Sequence, residues 1–377
     1  MARRGARWCA VLAATAFGSA GAQQSAGPAR RVAPEIGAVF DLIGDLSPGG
    51  STQRDSARFS VRSVELAFGG ALSPRLRADA RVTLDDRGHS AIAQAFVTLR
   101  AMPWRLDGRA GRFLLPVSAV NTTHRYDLHT VEVPYVAQKF LSPDGLSGTG
   151  LSARRSFTGL GFTHELIVSW VDRFGDPTDS LTAASKPSKF LDGMGYAARL
   201  RNVRRLSRAA ELELSASAVT GKRPTWTGFT DAHGVNAVNA RQTLLGADAA
   251  FRWSGTGPVA RTFLLQGEWM RQLNDKSWLA NPSAANAPTI RDFDGGYLFA
   301  RWQLARRTFV GGRWDAVQDP SARGARLTSG TADVEWLPSA NAKVIAGIER
   351  RQTGRLPSED RVLIRAAFTV GTHTAHD

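Results

Sequence analysis

Residues 76–85, LRADARVTLD, alternate apolar and polar side chains without a break. Successive side chains of a β-strand point to opposite faces, so this pattern predicts a strand with one apolar and one charged face. The same alternation recurs at 211–218, ELELSASA, and at 245–253, LGADAAFRW. Helical spacing is scarce elsewhere, so the sequence predicts an all-β protein.

Extending this period of two along the chain predicts sixteen strands. Most span about 9–11 residues, the length that a tilted strand needs to cross a bilayer. The predicted strands are 36–44, 58–70, 75–85, 91–101, 104–113, 148–155, 160–171, 194–202, 210–220, 243–253, 261–271, 295–303, 308–316, 327–336, 342–351 and 361–370.

The connections between these strands alternate between long polar links and tight turns. The longest link covers 114–147, whereas turns such as 72–74 and 102–103 need only two or three residues. One exception is the link at 86–90, which is short where a long one is due. Long loops on one side and short turns on the other are typical of bacterial outer-membrane barrels.

The alternation by itself does not say which face points outward, and a soluble β-sandwich would bury the apolar face. Two observations favour a membrane barrel instead. The apolar face is rich in alanine and glycine, which fill poorly the space of about 10 Å between two packed sheets. The other face carries charges in strand after strand, which suits a water-filled lumen. We therefore predict a transmembrane antiparallel β-barrel of about sixteen strands.

The amino-terminal segment 1–22 has the order of a secretory signal. Arg3, Arg4 and Arg7 precede a short apolar core, and Ala20-Gly21-Ala22 supplies a cleavage pattern of small residues. The only cysteine, Cys9, lies in this segment, so the predicted mature chain, 23–377, has no thiol to form a disulfide or bind a metal. We predict one barrel domain over 23–377, exported to the bacterial outer membrane.

The chain carries a formal net charge of +15, and removing the three arginines of the predicted signal leaves +12. Such a surplus can attract nucleic acid, anionic lipid or an anionic solute. Export to the outer membrane argues against nucleic acid and for the other two.

Several early motifs occur together in the first half of the chain. They are 62–70, RSVELAFGG, the strand at 76–84, and 106–116, LDGRAGRFLLP, followed by Asp144-Gly145-Leu146 and the glycines at 148 and 150. Together they resemble the phosphate-selective porin O and P family and related porin-like proteins. The match covers about residues 58–155. The resemblance implies a sixteen-stranded channel, commonly trimeric, with a loop folded into the pore and basic side chains lining it.

Strand parity places a set of arginines on the charged face. Arginine stays ionised and offers planar donors, so a ladder of them can replace water around a passing anion. Pairing with carboxylates across strands is the alternative role for each of them. The predicted pore-lining, anion-contacting residues are Arg77, Arg81, Arg105, Arg109, Arg199, Arg201, Arg252, Arg301 and Arg313.

The segment 114–147 is too long for an ordinary hairpin link. Folded inward it would narrow the pore, and Arg125 and Lys139 would then meet the arginines at 77, 81, 105 and 109. Packed outside, it would contact neighbouring subunits. A metal site built on its two histidines is disfavoured by their spacing. The candidate constriction residues are Asn121, His124, Arg125, Asp127, His129 and Lys139.

These features predict a channel for passive diffusion of small hydrophilic, anionic solutes such as phosphate. Membrane lipid and lipopolysaccharide are expected as partners, in a homotrimer, with no cofactor, no metal and no enzymatic activity. No Gly-x-Ser-x-Gly elbow or His-Glu-x-x-His motif is present in the sequence. The alternative is a barrel that acts as a hydrolase or as an adhesion scaffold through its long loops.

Overall fold

The computed structural model describes residues 34–53, 56–86, 88–141, 144–175, 194–222, 241–256, 261–274, 292–319 and 325–371. The predicted signal at 1–22 lies outside these residues, and so do the links at 176–193, 223–240 and 275–291.

Sixteen strands form within this part of the chain, and each corresponds to one predicted strand with ends that differ by no more than four residues. They are β1 (Glu35–Asp45), β2 (Phe59–Ala71), β3 (Leu76–Leu84), β4 (Ser90–Met102), β5 (Leu106–Leu114), β6 (Ser147–Gly159), β7 (Phe162–Gly175), β8 (Gly195–Arg205), β9 (Ala210–Lys222), β10 (Arg241–Ser254), β11 (Thr262–Asn274), β12 (Phe293–Ala305), β13 (Thr308–Asp319), β14 (Ala325–Ser339), β15 (Ala342–Thr353) and β16 (Glu359–Gly371).

Each strand pairs antiparallel with the next, and β1 pairs with β16 to close the barrel. At this seam Phe40 lies opposite Phe368 and the two rings stack with centroids 4.7 Å apart. Closure leaves no strand edge with unpaired backbone groups, which lipid would not tolerate. The predicted fold class, an antiparallel barrel of sixteen strands, is confirmed.

The burial pattern decides which face points inward. On β14, the side chains of Asp333 and Glu335 are 4% and 2% exposed, whereas Val334 and Trp336 between and beyond them are 49% and 52% exposed. Charged residues therefore face the interior and apolar residues face outward, the reverse of a soluble sandwich. This arrangement suits lipid outside and a polar lumen inside, so the prediction of a barrel with its apolar face outward is confirmed.

The two ends of the barrel differ in their connections. Short turns, among them 72–75 and 306–307, join strands at the end that also carries Glu35 and Gly371, and we call it the turn end. The links 46–58, 85–89, 115–146 and 354–358 join strands at the opposite end, which we call the loop end. The link at 85–89 is short, as predicted.

Helical structure in the described residues is confined to short pieces. Two of them, α1 (Ala119–Thr122) and α2 (Tyr135–Phe140), lie in the link between β5 and β6, together with a 3₁₀ turn at Arg125–Asp127. A second 3₁₀ turn, Pro103–Arg105, joins β4 to β5. None of the described helices is long and apolar enough to cross a membrane.

Candidate functional site

The segment Leu115–Leu146, called the inner loop below, leaves the barrel wall at β5 and returns at β6. Its two ends are clamped together by Leu115, whose N–H donates to the Leu146 carbonyl at 2.9 Å. The place where the two loop ends meet is called the neck, and the buried Asn121 amide reinforces it. Its Nδ2 donates to the carbonyls of Leu115 and Leu146, and its Oδ1 accepts from the Leu146 N–H at 2.7 Å. Asn121 therefore shapes the loop from within and makes no contact with the wall through these bonds.

The inner loop packs inside the barrel through an apolar surface. Tyr135, Val136, Ala137 and Phe140 of α2 are at most 3% exposed and belong to one apolar cluster with inward-facing wall residues. The wall contributes Phe96, Phe113, Val171, Val219, Met270, Phe299 and Val317 to that cluster. Each fully buried side chain of this size contributes about 1.5–3 kcal/mol. The lumen face is thus not uniformly polar: at the level of the loop it carries an apolar core.

Wall cations hold the opposite side of the inner loop by its backbone. Arg62 Nη1 donates to the Val131 carbonyl at 3.0 Å, and Arg313 Nη1 donates to the Glu132 carbonyl at 2.6 Å. Lys343 Nζ donates to the Tyr126 carbonyl at 2.8 Å. These donors come from β2, β13 and β15, so one loop is fixed to strands on both sides of the β1–β16 seam.

Arg365 of β16 is the most enclosed of these cations, with 1% of its surface exposed. Its Nε pairs with Asp41 Oδ1 at 2.8 Å, and its two terminal nitrogens donate to the carbonyls of Arg125 and Thr130 at 2.7 and 3.2 Å. One guanidinium therefore joins β16, β1 and the inner loop.

The two loop histidines each reach a different wall carboxylate. His124 Nε2 lies 2.6 Å from Glu65 Oε1 on β2, and His129 Nδ1 lies 3.3 Å from Glu335 Oε1 on β14. Burial lowers the pKa of His129, although Glu335 opposes that shift. The two rings share no site, and the described residues contain no group of three potential metal ligands.

The expectation that Lys139 meets the early wall arginines is wrong, because its Nζ pairs with Asp319 on β13 at 2.6 Å. Arg125 lies near Asp41 and Asp144, at 3.8 and 3.7 Å, and lines one cavity together with Arg81, an early wall arginine. A cation taken out of water is stabilised by a carboxylate and destabilised by another cation. Asp127 ends the 3₁₀ turn between these regions.

Most of the predicted pore-lining arginines face the lumen but are bonded to wall carboxylates. The pairs, with N–O distances, are Arg77–Glu35 at 2.6 Å, Arg199–Asp248 at 2.8 Å, Arg201–Glu213 at 2.7 Å, Arg252–Glu213 at 2.9 Å, Arg301–Glu335 at 2.6 Å and Arg313–Asp315 at 2.6 Å. Arg201 and Arg252 pair with an acid on the adjacent strand, as the alternative role anticipated. Three others reach a carboxylate on the next strand but one, and Arg313 pairs within β13.

Three members of the predicted set stand apart from those pairs. Arg81 is 3.7 Å from Glu65, a long ion pair, and Arg109 lies over the Phe96 ring at 4.3 Å with no described carboxylate within 4.0 Å. Arg105 does not belong to the lumen wall: β5 begins at Leu106, and Arg105 is exposed in the 3₁₀ turn with φ 58°. The proline at 103 ends β4 and removes 104 and 105 from the predicted strand.

A cavity with a mixed polar and apolar lining lies between the inner loop and strands β2, β3 and β4. Wall residues Ser63, Glu65, Arg81 and Gln94 line it from one side, and Asn121, His124 and Arg125 line it from the loop. Hydroxyl, amide, carboxylate and guanidinium groups can each replace water around a small polar solute. The one histidine predicted within a strand, His164, does not contribute, because it stacks on Phe157 at 4.9 Å on the outward face.

Solved structures of outer-membrane proteins share this architecture. OmpT of Vibrio cholerae, in a trimer form, aligns with a TM-score of 0.58 over 90% of this chain and 99% of that chain, at 10% identity. An anion-selective porin from Comamonas acidovorans aligns with a TM-score of 0.57 over 90% of this chain and all of that chain, also at 10% identity.

The outer-membrane channel DcaP of Acinetobacter baumannii aligns with a TM-score of 0.53 over 90% of this chain and 97% of that chain, at 13% identity. The chain has a porin-type fold. No family model and no curated protein matches the sequence. The resemblance to the phosphate-selective porin O and P family is therefore confirmed only at the coarser level of porin-like architecture.

Proposed function

We propose that this barrel is a porin, a water-filled channel through which small hydrophilic solutes diffuse passively across the outer membrane. The observation that carries the proposal is the inner loop, held inside a closed barrel beside a cavity that polar wall and loop side chains help to line. Passive diffusion needs a lined passage and no reacting group. Because the loop occupies part of the lumen, we expect only small solutes to pass.

We propose further that anions are preferred, and that Arg81 and Arg109 are the contact. Paired arginines present little net charge to a passing ion, since a carboxylate lies within hydrogen-bond distance of each. Arg109 lacks such a partner, and Arg81 has only the distant Glu65. Small anions, inorganic phosphate among them, would meet these two guanidinium groups on β3 and β5, which lie opposite Gln94 and Thr98 of the β4 strand between them. The preference is then local and does not follow from the charge of the whole chain.

The remaining partners belong to the same proposal. We expect a homotrimer in contact with lipid and lipopolysaccharide, and no enzymatic activity. Two features support a channel over a hydrolase: the wall histidine at 164 faces outward, and each loop histidine is bonded to a wall glutamate. The adhesion alternative depends on long links that lie outside the described residues.

Planar-bilayer recording tests this function. The purified protein should conduct in discrete steps, and a salt gradient should give a reversal potential of anion preference that weakens as salt screens the wall. Arg109→Ala should reduce that preference. Arg105→Ala is the matched control, because it removes the same charge from a turn outside the lumen. A protein that inserts but carries no current would overturn the channel, and equal effects of the two variants would overturn the anion contact.

A further inference from the structure

A ring of exposed arginines marks the turn end of the barrel. We call it the arginine belt, and its members are Arg75, Arg105, Arg155, Arg204, Arg261 and Arg306. No ion pair joins any of these guanidinium groups to a carboxylate of the described residues, whereas most lumen arginines have one. Arg204 and Arg261 have the parity of the outward face: Arg204 lies over the outward Phe162 ring at 5.4 Å, and Arg261 precedes the outward Phe263 by two residues.

Aromatic and other apolar side chains accompany the belt on the outer face. Trp253 and Trp302 stack at 5.9 Å, with Phe263 between them in register. Trp104 is 79% exposed and Trp336 is 52% exposed at the same end. Aromatic girdles of this kind lie where hydrocarbon meets the polar headgroups. The neighbouring arginines are therefore at headgroup depth.

The negative charge that would complete the belt is not supplied by nearby acids of the described barrel. Asp107, Glu35 and Glu211 lie toward this end but face the lumen, where they bond Arg154, Arg77 and Arg252. The belt provides cations, and the aromatic side chains beside it provide an apolar surface. The complementary partner is therefore a molecule with an anionic group next to hydrocarbon.

We propose that the arginine belt binds the phosphate groups of anionic phospholipids in the leaflet at the turn end. A guanidinium can donate two parallel hydrogen bonds to a phosphate, a geometry that lysine lacks. The acyl chains would lie against the girdle while the phosphodiester meets Arg204 and Arg261. This lipid site lies outside the lumen and is independent of the proposed channel function.

The test compares two double variants of the full-length barrel in phosphatidylcholine vesicles, with and without phosphatidylglycerol. Arg204→Gln with Arg261→Gln removes two belt charges. Arg271→Gln with Arg350→Gln is the control, because these two arginines face outward at the loop end and lie near Asp292 and Asp360, at 3.4 and 3.7 Å. Arg261 directly precedes β11, and Arg271 lies within the same strand near its other end.

We expect phosphatidylglycerol to raise the thermal unfolding midpoint of the wild type and of the control, and the belt variant to lose most of that rise. Native mass spectrometry should show correspondingly fewer bound phosphatidylglycerol molecules on the belt variant. Arg204→Lys with Arg261→Lys should keep an intermediate rise, which separates lost lipid binding from faulty folding.

Three results would overturn the proposal. The belt variant could keep the full rise in unfolding midpoint, or the control could lose as much of that rise as the belt variant. Inorganic phosphate could also reproduce the rise in pure phosphatidylcholine, which would identify a site for free phosphate. Loss of channel current in any variant would bear on the proposed function and leave the lipid site as it stands.

Discussion

The inner loop meets two kinds of wall. Toward β4, β5 and β7–β13 it buries α2 in a large apolar cluster. Toward the β1–β16 seam, cations of β2, β13, β15 and β16 donate to its backbone carbonyls, and Val131 adds a smaller apolar cluster with β1, β15 and β16. Apolar burial is non-directional and tolerates small shifts. A guanidinium between a carboxylate and two carbonyls fixes one position, because each bond has a narrow geometry. We infer that the apolar side supplies stability and the charged side supplies placement.

Breaking the charged side at Arg365 should have the largest effect. Arg365→Met removes three hydrogen-bonded contacts and leaves Asp41, 2% exposed, with Arg62 and Arg125 only at 3.8 Å. Removing one partner of a buried pair costs about 3–5 kcal/mol. Urea unfolding in detergent, followed by tryptophan fluorescence, measures the loss. Arg350→Met, which removes an exposed pair, should cost no more than about 1 kcal/mol; equal losses would contradict the special role of Arg365.

Opening the neck at Asn121 should come next. Asn121→Ala leaves the Leu146 N–H without its acceptor, whereas the carbonyls of Leu115 and Leu146 keep the N–H groups of Val117 and Leu115. A buried group orphaned in this way costs about 1–3 kcal/mol, so we expect a loss of that size and faster hydrogen exchange across residues 115–146. Asn341→Ala, in an exposed turn, is the control. If exchange in the loop is unchanged, the wall contacts alone hold the neck.

A substitution on the apolar side should lower the stability by a smaller amount and leave the ion selectivity unchanged. Phe140→Leu keeps most of the buried area of α2, so we expect the free energy of unfolding to fall by about 1–2 kcal/mol. The reversal potential of the channel should stay at the wild-type value, because no charge moves. A changed reversal potential with unchanged stability would reverse the assignment of placement to the charged side.

The smallest effect should be the pH dependence from His129. Because burial lowers its pKa below the ordinary 6.5, the docked loop favours the neutral ring and the free loop binds the proton more readily. The docked state is therefore fully favoured above that ordinary value and loses stability as pH falls through it. Limited proteolysis of the loop should accelerate on acidification, and His129→Gln should remove this part of the dependence.

His89→Gln is the matched control for that experiment. His89 lies in the short link between β3 and β4, with its side chain 72% exposed, and its ring nitrogen bonds to Asp85 at 2.8 Å, away from the inner loop. Its replacement should leave the acid sensitivity of the loop intact. If His89→Gln removes the pH dependence of proteolysis and His129→Gln does not, the group that responds to pH lies in the link between β3 and β4.

Much of the fold follows from the alternation visible in stretches such as 76–85, because a period of two can be satisfied only by a strand with two unlike faces. The inner loop's partners do not follow from the sequence in the same way. Arg313 and Lys343 bind backbone carbonyls, which every residue offers, so no motif announces the contact. Arg105 shows a further limit: a proline two positions earlier shifts the strand start and moves a charge from the predicted lumen to a turn.

Charge balance could be counted from the sequence but not located. Lumen arginines such as Arg199 and Arg301 have carboxylate partners on the next strand but one, whereas the arginines of the arginine belt have none in the described residues. The alternation of side chains along each strand places the surplus of positive charge in the lumen, because it treats every strand separately. Register between strands decides which arginine meets which acid.

Arg365 also constrains the order of folding. It sits on the last strand, its carboxylate partner sits on the first, and the loop carbonyls that it binds come from neither. The β1–β16 seam closes the longest chain loop in the molecule and carries a large entropic cost. This three-way contact cannot be complete until the seam has formed, so full docking of the loop is a late event. A sheet that has not yet paired β16 with β1 would therefore not yet have its lumen narrowed by the inner loop.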